Sequence, residues 1–196
     1  EKNFLAKMQI QPNGNVGEGP LSVLIWTTTP WTLPANQAVA LHPEFDYVLA
    51  QYEVDGKPQR LLVAGGLLEK LNEIFEQIGN VTYKGAIARA KGQDLENLKL
   101  KHPFYERVVP IILGDHVTLD AGPGAVHTAP GHGQEDFAAG MKYGLPVDNP
   151  VDSGGVFIPG TPLFAGEFVF KANPHVIEVL RERGMLLHSE SFRHSY

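Results

Sequence analysis

The stretch LSVLIWTTTPWTLPAN, residues 21–36, sets the reading of the fold. Its first half, residues 21–28, is rich in β-branched and aromatic side chains that suit a pleated, half-buried surface, so it reads as a buried strand. Pro30 and Pro34 break that strand, because neither carries an N–H to donate to a ladder. A strand thus delivers a stiff, threonine-rich loop. Working outward, residues 46–54 and 59–64 flank the turn Asp55-Gly56-Lys57-Pro58 in the pattern of a hairpin. Leu67, Leu68, Leu71, Ile74, Phe75 and Ile78 recur at helical spacing and predict an amphipathic helix. Further strands are expected over residues 81–90, 108–113, 117–119 and 124–128. A helix is expected from Gln134 to about Lys142, capped at Gly144, and another from the N-cap Asn173 and first-turn Pro174 to Gly184. A last strand over residues 185–191 would close the fold. Residues 1–19 read as a connector with one short strand, ahead of a domain over residues 20–196. Strands outnumber helices without βαβ alternation. The expected class is therefore α+β, a single compact domain with a curled, mixed or antiparallel, barrel-like sheet and a few peripheral helices.

Composition narrows the function. The chain has 196 residues, 43% of them hydrophobic, which is enough for one substantial core. Its 21 glycines and 15 prolines imply many turns without reaching the level of a low-complexity chain. Sixteen basic against 22 acidic residues give a net charge of −6, the wrong sign for gripping nucleic acid chiefly through phosphates. There is no cysteine, which excludes disulfides, thiolate metal sites and cysteine nucleophiles and suits a cytoplasmic setting. No apolar run approaches the ~20 residues of a membrane helix. The chain opens at Glu1 rather than Met, as a segment of a longer polypeptide would.

Two segments carry residues that a core does not require. In residues 26–36, Thr27, Thr28, Thr29, Thr32 and Asn36 gather hydroxyls and an amide on a loop that Pro30 and Pro34 hold stiff beside Trp31. Alternatively, such threonines serve only as strand residues and turn caps. In residues 124–137, a strand ends in Pro130-Gly131-His132-Gly133 and passes into a helix. His127 and His132 flank that turn, and Asp136 lies in the first helical turn, where the dipole favours its ionised form. Three readings stay open: a metal site using His127, His132 and Asp136; an anchor for a cationic group at Asp136 with His127 as a pocket wall; and a plain helix cap with satisfied histidines. No GxSxG elbow, GxxxxGK[ST] or GxGxxG occurs, so a serine triad, a phosphate loop and a dinucleotide site lack their signatures.

These two segments, WTTTPWTLPAN (26–36) and GDHVTLDAGPGAVHTAPGHGQEDF (114–137), together with the closing LLHSESFRHSY (186–196), resemble the editing domain, or connective polypeptide 1, of isoleucyl-tRNA synthetase, a class I aminoacyl-tRNA synthetase. The likeness runs from about Pro20 onward. Related valyl and leucyl domains carry an arginine after the second threonine and an acidic residue before the last; Thr29 and Trp31 at those places point to the isoleucyl type.

The resemblance implies post-transfer editing: hydrolysis of tRNA(Ile) mischarged with valine, with water as nucleophile. A missing methylene is worth only roughly 1–3 kcal/mol in an apolar pocket, a relation for which isoleucyl-tRNA synthetase is itself the standing example, so a second site must destroy the error. On this reading Asp136 holds the substrate's α-ammonium by a charge-assisted hydrogen bond. Thr28, Thr29 and Asn36 help to place the water, with Thr27, Trp31 and Thr32 lining the site. His127 borders the amino-acid side chain and limits its size, or less favourably acts as general base, and His132 contacts the 3′ end. No cofactor is expected for editing. The implied partners are the CCA end of valyl-tRNA(Ile) and the remainder of a synthetase chain, with no membrane and, for the domain alone, a monomer. The alternatives are a metal-dependent hydrolase and a noncatalytic module that docks the tRNA end.

Overall fold

A computed structural model describes residues 1–191 of the chain. In chain order the elements are α1 (Lys2–Leu5), β1 (Gln9–Ile10), β2 (Leu21–Val23), a 3₁₀ helix (Pro30–Ala35), β3 (Ala38–Leu41), β4 (Asp46–Val54), β5 (Lys57–Ala64), α2 (Leu68–Ile78), β6 (Val81–Lys91), β7 (Lys99–Lys101), β8 (Val108–Leu113), β9 (Ala125–Thr128), α3 (Gln134–Tyr143) and α4 (Val169–Glu182), with short 3₁₀ turns before α2 and β7. The class is α+β, as expected, but the strands form two sheets and no closed barrel. One has the order β1-β6-β4-β5-β2 and the other β7-β8-β3-β9. Both are mixed: β4 pairs antiparallel with β5 and β6, whereas β2 runs parallel to β5 and β3 parallel to β8. The chain divides into two compact units, residues 1–26, 39–99 and 110–126 forming the first and residues 27–38, 100–109 and 127–196 the second.

The first unit holds the five-stranded sheet. Asp55 and Gly56, both at positive φ, make the two-residue turn of the β4–β5 hairpin, and Glu53↔Pro58 and Val54↔Lys57 continue its register. Such a turn requires the left-handed conformation at both central residues, which Asp tolerates and Gly adopts freely. Leu71 and Phe75 of α2 are buried, and the Phe75 ring packs edge-on against Tyr52 at 5.5 Å. Tyr47 lies at the base of the sheet with no exposed surface. Its hydroxyl accepts the His42 N–H at 2.9 Å and donates to the Gly124 carbonyl at 2.6 Å. Gly124 itself stands at φ +80°, and a Cβ there would lie 2.4 Å from that of Ala64. The stretch read as a connector is built into this unit: β1 pairs with β6, Phe4 and Met8 are buried, and Arg60, 4% exposed, donates to the carbonyls of Val16 and Gly19.

Several expected elements differ. The strand predicted over residues 21–28 is ordered as strand only to Val23; after the Leu24 N–H reaches the Leu62 carbonyl the chain leaves the sheet. Residues 117–119 are not a strand, because the chain turns there from Gly114 to Val117 and from Thr118 to Asp120. The last helix begins at Val169 rather than Asn173. Pro174 therefore lies inside α4 and forgoes the bond its N–H would make to the carbonyl of Phe170. Residues 185–191 form no strand: the Met185 N–H closes the end of α4 on the Leu180 carbonyl, and residues 186–191 join no ladder. The last five residues of the closing motif lie outside the described residues.

Candidate functional site

Every sequence-predicted site residue falls in the second unit. The chain enters it at Thr27, whose hydroxyl accepts the Thr29 N–H at 3.0 Å and lies 3.4 Å from the Thr29 hydroxyl. This local turn leaves the side chains of Thr28 and Thr29 exposed. Pro30, with its φ pre-set for a helix, then starts the 3₁₀ helix. The Thr32 N–H and the Thr32 hydroxyl both donate to the Thr29 carbonyl, at 3.0 and 2.9 Å, and the Asn36 N–H closes on Leu33 at 3.0 Å. The turn so built sends Thr32 and Asn36 inward, 8% and 5% exposed, and keeps Thr28 and Thr29 at the surface. Asn173 of α4 accepts the Trp31 N–H at 2.9 Å and fixes the start of this helix.

The second segment is β9, its turn and α3. The Gln37 N–H donates to the Thr128 carbonyl at 2.9 Å and brings the end of β9 to the threonine segment. The His132 N–H closes the turn on the Ala129 carbonyl, and the Ala129 N–H donates to the Asp136 carboxylate at 2.9 Å. Asp136 is therefore more than an exposed helix-start acid: it buttons the turn that carries His132 onto α3. The His132 ring meets Trp31 edge-on at 5.1 Å, and burial holds its pKa below the usual value.

His127 joins the two segments, and its hydrogen bonds determine its tautomer. The Thr32 hydroxyl spends its proton on the Thr29 carbonyl, so at 2.9 Å from His127 Nε2 it can only accept; Nε2 carries the hydrogen. Asn36 donates one amide hydrogen to the Ala38 carbonyl at 2.9 Å and the other to His127 Nδ1 at 2.7 Å. Both ring nitrogens of His127 and both amide hydrogens of Asn36 are thereby engaged. Burial, aided by the nearby His102 and His132 rings, pushes the His127 pKa down to about 4, so the ring is neutral near pH 7.

A general base needs a lone pair free to take a proton, and in this arrangement the one on His127 Nδ1 accepts the Asn36 amide hydrogen. His127 is half-buried and, held at both ring nitrogens, suits a rigid wall. Both His127 nitrogens are engaged, and among the described residues no group of three His, Asp or Glu is placed to share an ion.

Sequence reasoning missed His102 and Arg107. His102 is 5% exposed and donates from Nε2 to the Leu33 carbonyl at 2.9 Å, while Nδ1 accepts the N–H groups of Phe104 and Tyr105. Arg107 donates from one nitrogen to the carbonyls of Pro34 and Asn36, at 3.0 and 2.8 Å. The only signal in KHPFYERV (101–108) is a histidine and an arginine astride an aromatic pair.

Known proteins resemble this chain in sequence and in fold. Residues 15–155 match the family model described as leucyl-tRNA synthetase, editing domain. Among curated proteins, the isoleucine–tRNA ligase of Methylococcus capsulatus is 61% identical over 184 residues, covering 94% of this chain and 19% of the ligase. That of Aliivibrio fischeri is 56% identical over 198 residues, covering 100% and 20%. The chain thus spans about a fifth of the length of these relatives. Among solved structures, GlLeuRS-CP1 superposes with a TM-score of 0.64 at 17% identity, covering 88% of this chain and 85% of that one. The cytosolic leucyl-tRNA synthetase editing domain of P. falciparum superposes at 0.61 and 10% identity, covering 87% and 80%. At these identities the likeness is one of fold.

Proposed function

The chain belongs to the editing-domain family of the aminoacyl-tRNA synthetases, and from that premise we propose that it deacylates tRNA(Ile) carrying valine and spares isoleucine. The observation that carries the reading is the Thr32–His127–Asn36 set: a neutral ring held at both nitrogens is a pre-organised wall and suits a site that orients its reactants. In the reaction the water oxygen attacks the ester carbonyl carbon, the bond to the ribose oxygen breaks, and that oxygen takes up a proton, with the vicinal ribose hydroxyl assisting. Valine and free tRNA(Ile) leave.

Asp136 holds the α-ammonium in this scheme while also accepting the Ala129 N–H. Its role is therefore tested by Asp136→Asn, which keeps an oxygen for that N–H and removes the charge. The exposed Thr28 and Thr29 hydroxyls contact the terminal adenosine or the water. His127 bounds the space for the amino-acid side chain, and Trp31 and His132 sit beside the 3′ end. No cofactor takes part, and the setting is cytoplasmic. The net charge of −6 fits a domain that grips only the terminal nucleotides and leaves phosphate contacts to the rest of the synthetase.

The test compares hydrolysis of Val-tRNA(Ile) and Ile-tRNA(Ile), with and without chelator. The expected result is loss of the valyl ester alone, unaffected by chelator and abolished by Asp136→Asn. Binding without turnover would make this a docking module, and loss on chelation would revive a metal-dependent reaction.

A further inference from the structure

We infer that His102 and Arg107 are positioning residues for this editing reaction: by gripping the carbonyls of Leu33, Pro34 and Asn36, they set where Thr32 and Asn36 hold the His127 ring. The inference rests on the deacylase reading of the same site.

It starts from the 3₁₀ helix itself. A helix end leaves carbonyl groups without intrahelical partners, and here that end, Leu33 to Asn36, is buried, so its carbonyls must find donors elsewhere. One turn supplies donors to three of these four carbonyls. The Leu33 carbonyl, which already takes the Asn36 N–H, also accepts His102 Nε2–H; those of Pro34 and Asn36 share a single Arg107 nitrogen. One nitrogen bonded to two acceptors fixes their separation. That fixes the peptide planes on either side of Ala35 and Asn36, and with them the direction of the Asn36 side chain toward His127 Nδ1.

The turn is rigid enough to transmit this. The His102 N–H bonds the Arg107 carbonyl at 2.8 Å, the His102 ring stacks on Tyr105 at 5.0 Å and 18°, and the Arg107 guanidinium lies 5.3 Å over the same Tyr105 ring. Tyr105 is tied in turn by its hydroxyl to the Pro162 carbonyl at 2.7 Å. With Nδ1 receiving two N–H groups, the His102 ring has a single workable tautomer and a fixed direction for its remaining hydrogen. No hydrogen bond joins either residue to His127; their hold on Thr32 and Asn36 runs through the backbone carbonyls they grip.

Arg107→Lys separates positioning from charge, since an ammonium keeps the charge but lacks the planar fork. In the full-length synthetase, Arg107→Lys and Arg107→Ala are expected to lower kcat for Val-tRNA(Ile) deacylation by up to about 100-fold, the cost of small misplacements in a pre-organised site. KM should change less than about twofold, and added methylguanidinium, but not methylammonium, should restore part of the Arg107→Ala rate. In the histidine-labelled protein the His127 Nε2–H resonance should move in both variants. Full wild-type kcat in both variants, rate loss that methylguanidinium does not relieve, or an unmoved His127 resonance would each overturn the inference. Failure of the wild type to deacylate Val-tRNA(Ile) would instead defeat the deacylase reading, and the resonance would still report on the clamp.

Discussion

Acidification should loosen this molecule well before its carboxylates protonate, and His102 provides the measure. Buried against Phe104 and Tyr105, with Nδ1 committed to two N–H groups, the ring cannot accept a second proton without breaking those bonds. Burial is the main cause that pushes its pKa down to about 4 from 6.5, opposed by the Leu33 carbonyl and reinforced by Arg107. In the unfolded chain the ring takes a proton near pH 6.5, and in the folded one only near 4. Between those values the unfolded state binds more protons, so stability falls as pH falls and is fully recovered above the unfolded value. At about pH 5 the linkage amounts to about 2 kcal/mol for His102 alone. His127, lowered to about 4 by the same cause, adds a second contribution of the same sign. Urea unfolding of the purified protein at about pH 8, 6 and 5, followed by circular dichroism, should show a midpoint that drops steadily. His102→Gln, which retains an N–H for the Leu33 carbonyl but does not titrate, should reduce that pH dependence by about 2 kcal/mol. A stability that is flat from pH 8 to 5, or an unchanged slope in His102→Gln, would refute the reasoning.

Other substitutions test separate parts of the structure. Tyr47→Phe strands the His42 N–H and the Gly124 carbonyl and should cost about 1–3 kcal/mol in urea unfolding with little effect on deacylation. Gly124→Ala meets both a positive φ and the Ala64 side chain at 2.4 Å, and a loss of more than about 2 kcal/mol is expected by the same assay. Thr32→Val removes the acceptor of the His127 N–H; it should slow Val-tRNA(Ile) hydrolysis more than it lowers the melting temperature. Thr28→Val, at an exposed side chain, should leave stability within about 0.5 kcal/mol, so that any lost deacylation measures contact with substrate.

What the sequence made legible was local. The β4–β5 hairpin, α2 and α3 each announce themselves within a dozen residues, through a turn pair at positive φ, a 3.6-residue apolar period and a capping glycine. The start of α4 was masked because Asn173-Pro174 imitates a helix start, while the period that Val169 and Ala172 share with Val176 extends it upstream; packing of that face outweighs one lost hydrogen bond. In the site, the side chains were legible as types but not as a circuit. That Thr32 and Asn36 divide the two nitrogens of His127 between them depends on a separation of more than 90 residues. His102 and Arg107 were invisible because their partners are backbone carbonyls, which are the same in every residue and leave no mark in a sequence.

Arg60 bears on how this domain can be cut and joined. Its guanidinium, buried in the first unit, is satisfied by the carbonyls of Val16 and Gly19 and by Glu1 at 2.9 Å, all from the stretch whose sequence reads as a connector. Trimming to Pro20, past the end of that stretch, would remove all three acceptors at once and leave a cation facing bare interior. A graft of this module into another polypeptide should therefore carry its first 19 residues with it, or exchange Arg60 for an apolar residue in the same step.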